Sequence, residues 1–133
     1  MAIKVEDKIA IHELLSRLYV ALDSHNPESF ASFFTSDGVF SAMYGEYKGH
    51  SEIAGFIDDH IKKGNEDHAR HLISNFVIEE VDGTPMVRSY ITKIRLQPAV
   101  TLVAYADLKA NVVRQGGNWL IRRFDLSITL SPN

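Results

Sequence analysis

The sequence predicts an α+β fold in which about three N-terminal helices close a cone-shaped, curled antiparallel sheet. Three observations predict it. Apolar residues recur at three-and-four spacing through the first half of the chain, and from residue 71 onward they alternate instead. The alternating stretches each run ~11–16 residues, about twice the usual strand length. Strands that long twist and curl, and a curled sheet closed by helices encloses a cavity.

The first helix is expected over about 5–23, where Ile11, Leu14, Leu15, Leu18 and Leu22 fall on one face. Ser24-His25-Asn26-Pro27 ends it. Asn26 is a good N-cap and Pro27 a good first helical residue, so a second short helix starts there with Phe30, Phe33 and Phe34 as its apolar face. Asp37-Gly38 is a turn, 39–44 a short strand, and Tyr47 lies in a second short strand. Ser51 is placed to cap a third helix, with Ile53, Ala54, Phe56, Ile57 and Ile61 inward and Gly64-Asn65 at its end. Four strands follow, over 71–81, 84–96, 99–114 and 119–130. Asp82-Gly83 and Gly116-Gly117 supply the hairpin turns and Gln97-Pro98 the break.

With 133 residues, 45% of them hydrophobic and 23% charged, the chain is expected to form one domain over 1–133. It has no cysteine, which excludes disulfides, thiolate metal sites and cysteine nucleophiles and makes the cytoplasm the expected compartment. A net charge of −3 gives no reason to expect a nucleic-acid partner. No apolar run reaches membrane-helix length, so no membrane partner is expected either. Leu102/Val103 and Leu120/Ile121 put apolar side chains on both faces of the meander, which predicts a homo-oligomer, dimer or trimer.

All six histidines lie within the first 71 residues. A metal reading of His60, His68 and His71 fails on spacing: residues three apart on a strand point to opposite faces, and no carboxylate completes a recognised zinc motif. His71 begins the first long strand and shares a face, on a two-residue period, with Ile73, Asn75 and Val77. That pattern fits a poised imidazole in a pocket, but on the residues alone it more often marks an edge or surface histidine, hydrogen-bonded and inert. Asp23 ends the first helix, four residues after Tyr19, where a carboxylate opposes the helix dipole. It is either a solvated turn residue or one compensated by a partner, and an imidazole would serve.

Five segments together resemble the SnoaL-like members of the nuclear-transport-factor-2-like superfamily, a cystatin-like α+β roll. They are 11–23, 33–40, Tyr47-Lys48-Gly49, 70–75 and Arg114 to Trp119. In the branch containing scytalone dehydratase and lindane dehydrochlorinase, an aspartate ending helix one pairs with a histidine starting the long strand. The matching positions here are Asp23 and His71, with Asn75 four residues on. The resemblance implies a small lyase or isomerase that needs no cofactor and no metal. His71 would take a proton from carbon of an apolar small molecule in a buried pocket, and Asp23 would orient the ring. Tyr19, Phe40, Tyr44, Asn75 and Tyr90 are the implied substrate contacts. The sequence departs from scytalone dehydratase at Leu22, where that enzyme has a tyrosine, and in having no histidine after residue 71. A non-catalytic ligand-binding or subunit-type protein is the alternative, since the same fold serves both.

Overall fold

The computed structural model describes residues 3–42 and 45–130. Its elements are α1 (Val5–Asp23), α2 (Pro27–Ser32), β1 (Phe34–Ala42), β2 (Gly45–Lys48), α3 (Gly49–Lys62), β3 (Ala69–Val81), β4 (Thr84–Arg95), β5 (Thr101–Gln115) and β6 (Asn118–Leu130). The strands make one curled, unclosed sheet of six in the order β2-β1-β6-β5-β4-β3, with the helices on its inner face.

Local chemistry explains most of these boundaries. Asn26 caps α2, its side chain accepting the Ser29 N–H at 3.1 Å, and Pro27 takes the first helical position. Asp82 and Gly83 both have positive φ, 52° and 81°, the geometry of the tight turn that joins β3 to β4. Helix α3 departs from expectation. It starts at Gly49, two residues before Ser51, and Ser51 does not cap it. The Glu52 carboxylate accepts the Lys48 N–H at 3.0 Å instead.

The sheet also departs from a plain antiparallel meander. β1 begins at Phe34 and runs through Asp37-Gly38, the expected turn, before lying parallel to β6. It thereby covers an edge that the four-strand meander would have left unpaired. Its register slips between Phe34 and Val39. Gly38 sits in that slip because a Cβ there would meet the Phe34 Cβ at 3.0 Å and the Thr35 and Ile121 carbonyls at 3.1 Å. Tyr44 lies outside the described residues.

A bulge corrects the face assignment in β3. Ser74 pairs with Tyr90 but Val77 pairs with Arg88, so β3 carries one extra residue, and Asn75 takes φ 58° to accommodate it. His71 and Ile73 therefore face inward, as do Phe76 and Ile78, while Asn75 and Val77 face out. The expected open pairs on β5 and β6 differ too. Ile121 is fully buried, whereas Leu72, Val77, Tyr90 and Tyr105 are the exposed large residues on the outer face.

The core lies between α1, α2, α3 and the inner face. Phe30, Phe34, Phe40 and Phe124 form its aromatic centre, with ring centroids 5.3–6.3 Å apart where Phe124 meets Phe40 and Phe34. Edge-to-face contacts of Phe40 with Phe30 (5.6 Å) and Phe34 (6.1 Å) complete it. Phe124→Ala would empty the point where these rings meet. It should destabilise the fold by about 3–5 kcal/mol, read as a lower urea midpoint with an unchanged slope.

Candidate functional site

A cavity of about 1040 Å³ opens between the helices and the inner face of the sheet. One wall is apolar: Phe30, Phe40, Phe56, Ile91, Leu126 and Ile128. A polar part of the lining adjoins it and is built where two helices end.

Helix α1 stops at Asp23 because His25 adopts φ 57°, and the His25 and Asn26 N–H groups return to the Leu22 and Ala21 carbonyls at 3.0 and 2.9 Å. Helix α3 stops the same way. Gly64 has φ 81°, and the Gly64 and Asn65 N–H groups bond to the Ile61 and His60 carbonyls at 2.9 and 3.2 Å. The two ends are then tied together. The carbonyl of Glu66 can only accept, so His25 Nε2 donates to it, at 2.9 Å.

Asp23 is partnered as its position against the helix dipole requires. Its Oδ1 lies 2.7 Å from His71 Nδ1, and its Oδ2 accepts the His71 backbone N–H at 3.1 Å. A carboxylate accepts, so Nδ1 carries the hydrogen and Nε2 is directed toward the cavity. The His71 side chain is 7% exposed and lines the cavity, with the Tyr19 ring 4.9 Å away.

Two groups complete the polar wall. Lys93 is the cross-strand partner of His71, and the Glu66 side chain is buried beside them at 2% exposure. Lys93 Nζ donates to Glu66 Oε2 and to the Asn65 carbonyl, both at 2.8 Å. Glu66 Oε1 lies 3.8 Å from His71 Nε2. His60 approaches Glu66 Oε2 at 3.5 Å, and Asn65 Nδ2 donates to its Nδ1 at 3.3 Å.

Burial lowers the pKa of His60, against the opposing pull of Glu66, and Lys93 lowers it further. Burial raises the Tyr19 hydroxyl well above its ordinary range, with Glu66 and Asp23 adding to the effect, so it stays protonated.

Of the residues singled out in the sequence, His71, Tyr19 and Phe40 line this cavity, and Asp23 is bonded to His71. Two do not. Asn75 stands on the bulge and is exposed, and Tyr90 is 55% exposed on the outer face beside Ser74 and Thr92. The bulge and the strand alternation are the reasons. The other histidines have separate places. His50 Nε2 donates to the Phe34 carbonyl at 2.7 Å, the His12 ring lies tilted against Phe76 with centroids 3.7 Å apart, and His68 is an exposed residue of the loop before β3. Among the described residues no group of three or more His, Asp or Glu side chains is placed to hold a metal.

Glu66, Lys93 and the polar contacts of His60 were not marked by the sequence pattern. Lys93 left a signal, since on a two-residue period it shares the inward face of Val87, Ser89 and Ile91. Glu66 left none, standing in the charged turn 64–67.

Lys93→Met would leave the Glu66 carboxylate buried without its cation and should destabilise the fold by about 3–5 kcal/mol. The double variant Glu66→Gln/Lys93→Met should recover most of that loss in urea denaturation. Folded His60 holds a proton less tightly than the unfolded chain, so its contribution to stability is present above about pH 6.5 and is lost as the pH falls below that value. The His60→Gln variant should therefore lose less stability than the parent on acidification, measured by thermal melts across that range.

The comparisons with known proteins agree with this architecture. A SnoaL-like domain model matches residues 4–125. No curated protein matches the sequence. Among solved structures, the chain is similar to a cystatin-like-fold protein of unknown function from Nostoc punctiforme, with a TM-score of 0.88 and 24% identity over 99% of this chain and 98% of that one. It is similar to an NTF2-like protein from Novosphingobium aromaticivorans, with a TM-score of 0.84 and 20% identity over 94% and 83% of the two chains. It is also similar to a scytalone dehydratase-like protein from that organism, with a TM-score of 0.77 and 24% identity over 95% and 86%. With residues 4–125 matched by the family model, the chain belongs to the SnoaL-like domain family.

Proposed function

We propose that the protein is a lyase or isomerase in which His71 removes a proton from a carbon atom of an apolar small molecule held in the cavity. The observation that carries this reading is the double hold of Asp23 on His71, 2.7 Å to Nδ1 and 3.1 Å to the backbone N–H. It fixes the ring tautomer and directs Nε2, the lone-pair nitrogen of the neutral ring, at the bound molecule. His71 Nε2 takes the proton. The electron pair left on carbon either forms a double bond as a leaving group departs, or is reprotonated at another carbon in an isomerisation. As His71 becomes an imidazolium, Asp23 stabilises the new charge.

The surroundings support this. Tyr19 and Phe40 line the cavity, and the protonated Tyr19 hydroxyl serves as a neutral hydrogen-bonding group rather than a second base. The mixed lining, apolar residues beside polar ones, suits a largely hydrocarbon molecule with a few oxygen functions. The likeness to a scytalone dehydratase-like structure points to the same reaction class.

Hydrogen–deuterium exchange at carbon tests the base without the natural substrate. With β-tetralone, an apolar ketone with acidic C–H bonds, in deuterated buffer, the parent protein should accelerate exchange above the buffer rate, followed by proton NMR. His71→Ala should lower that acceleration by about 10²–10⁴-fold, while its fold, checked by circular dichroism, is kept. Asp23→Asn should lower it less, because the ring remains. Equal rates for the parent and His71→Ala would reject the reading, as would no acceleration by the parent.

A further inference from the structure

We propose that Lys93 is the oxyanion donor of the reaction: as His71 draws a proton from carbon, the Lys93 ammonium hydrogen-bonds the oxygen on which the negative charge gathers. This rests on the reading of His71 as the base and adds a second catalytic residue to it. An ammonium has three N–H donors. Two of those on Lys93 are taken inside the protein, by the Asn65 carbonyl and by Glu66 Oε2, both at 2.8 Å. Among the described residues no other group accepts from it. The side chain stands on the inner face of β4 and keeps 14% of its surface exposed, against 2% for Glu66. On that face the exposure is to the cavity, whose lining Lys93 joins.

Strand register sets this donor beside the base. His71 and Lys93 are directly opposed across β3 and β4, and residues so placed have neighbouring side chains. Glu66 stands between their tips, with Oε2 on Lys93 Nζ and Oε1 3.8 Å from His71 Nε2. In a ketone only two carbons separate an α-hydrogen from the carbonyl oxygen, so one molecule can present the first to Nε2 and the second to Nζ. The step then balances within the molecule. The C–H bond breaks and its proton goes to His71 Nε2. Its electron pair becomes the new C=C bond, and the carbonyl π pair moves onto oxygen, where the third N–H of Lys93 meets it. The Asn65 carbonyl and Glu66 hold the other two N–H bonds, so the third is aimed before charge develops and little reorganisation is needed. Arg95, also in the lining, directs Nε and Nη2 at the Asp67 and Asn65 carbonyls instead, at 3.1 and 3.4 Å.

Two measurements test the donor apart from the base. 2-Naphthol has the shape of the β-tetralone enol and, when ionised, carries its charge on the corresponding oxygen. Bound to the parent protein it should ionise at a lower pH than in buffer, read as naphtholate absorbance at a pH where free naphthol is neutral. Glu66→Gln removes the opposing carboxylate and should increase that absorbance, whereas Glu66→Gln/Lys93→Met should abolish it. His71→Ala should keep it, since the ammonium and not the imidazole holds the anion. In β-tetralone exchange the double variant should lower the saturating rate by about 10²–10³-fold with KM little changed, a split expected of an interaction made only in the transition state. Naphthol bound without ionising, no binding at millimolar concentration, naphtholate kept in the double variant or lost in His71→Ala, or an exchange rate unmoved in the double variant would each overturn the proposal. If the double variant does not fold, the spectra of the parent, Glu66→Gln and His71→Ala decide it. Naphtholate on a parent that exchanges no deuterium would keep Lys93 as an anion donor and remove the base. Exchange that needs His71 but not Lys93, with no naphtholate, would do the reverse.

Discussion

The contact between Asp23 and His71 organises the molecule. It joins residues 48 apart in the chain and spans the gap between the end of α1 and the start of β3. A carboxylate at the C-terminus of a helix is unfavourable by itself, because it faces the negative end of the helix dipole. Two donors from one residue reverse that. The imidazole and the backbone N–H of His71 both reach the same carboxylate, so the helix end is stabilised only when docked on the sheet at this one register. The neighbouring His25, in the left-handed conformation that ends the helix, bonds the Glu66 carbonyl and fixes the second helix end against the first. The polar wall of the cavity is thus assembled by the way two helices terminate.

That wall carries formal charge inside a largely apolar space, and its arrangement limits the cost. Glu66 and Lys93 neutralise one another at 2.8 Å, and Lys93 gains a main-chain carbonyl as well. His60, with its proton affinity lowered by burial, presents a neutral ring and so adds no third charge. Tyr19 is held neutral for the same first reason, burial, and two nearby carboxylates further oppose its ionisation. The polar part of the lining thus holds a neutralised Glu66–Lys93 pair and an imidazole braced by a carboxylate, with aromatic rings beside them.

Much of this was legible in the chain. Helix α1 spans the residues its apolar spacing marks, Asn26-Pro27 starts α2, and both glycine-containing turns sit between the strands they were expected to join. Asp23 and His71 were legible as a pair only through the family likeness; each alone fits a solvated role at least as well. What was hidden has physical causes. Asp37-Gly38 carries turn chemistry, yet it lies within β1, because β1 gains hydrogen bonds along the free edge of β6. Asn75 and Val77 alternate with His71 on paper, but one left-handed residue resets the alternation. Glu66 sits in a turn whose composition is that of an exposed loop, and it is buried because the ends of α1 and α3 close over it.

The bulge at Asn75 divides β3 into two stretches with separate duties. Before it, His71 lines the cavity and Ile73 packs against the core; after it, Phe76 and Ile78 face inward and Phe76 lies against His12 of α1. Each stretch has its own phase, so a substitution in one does not dictate which residues the other presents. Asn75 is in this sense a seam. Natural variation can reshape the hydrocarbon packing beneath α1 and leave the cavity-facing end of the strand as it is, or refit that end without unsettling the packing.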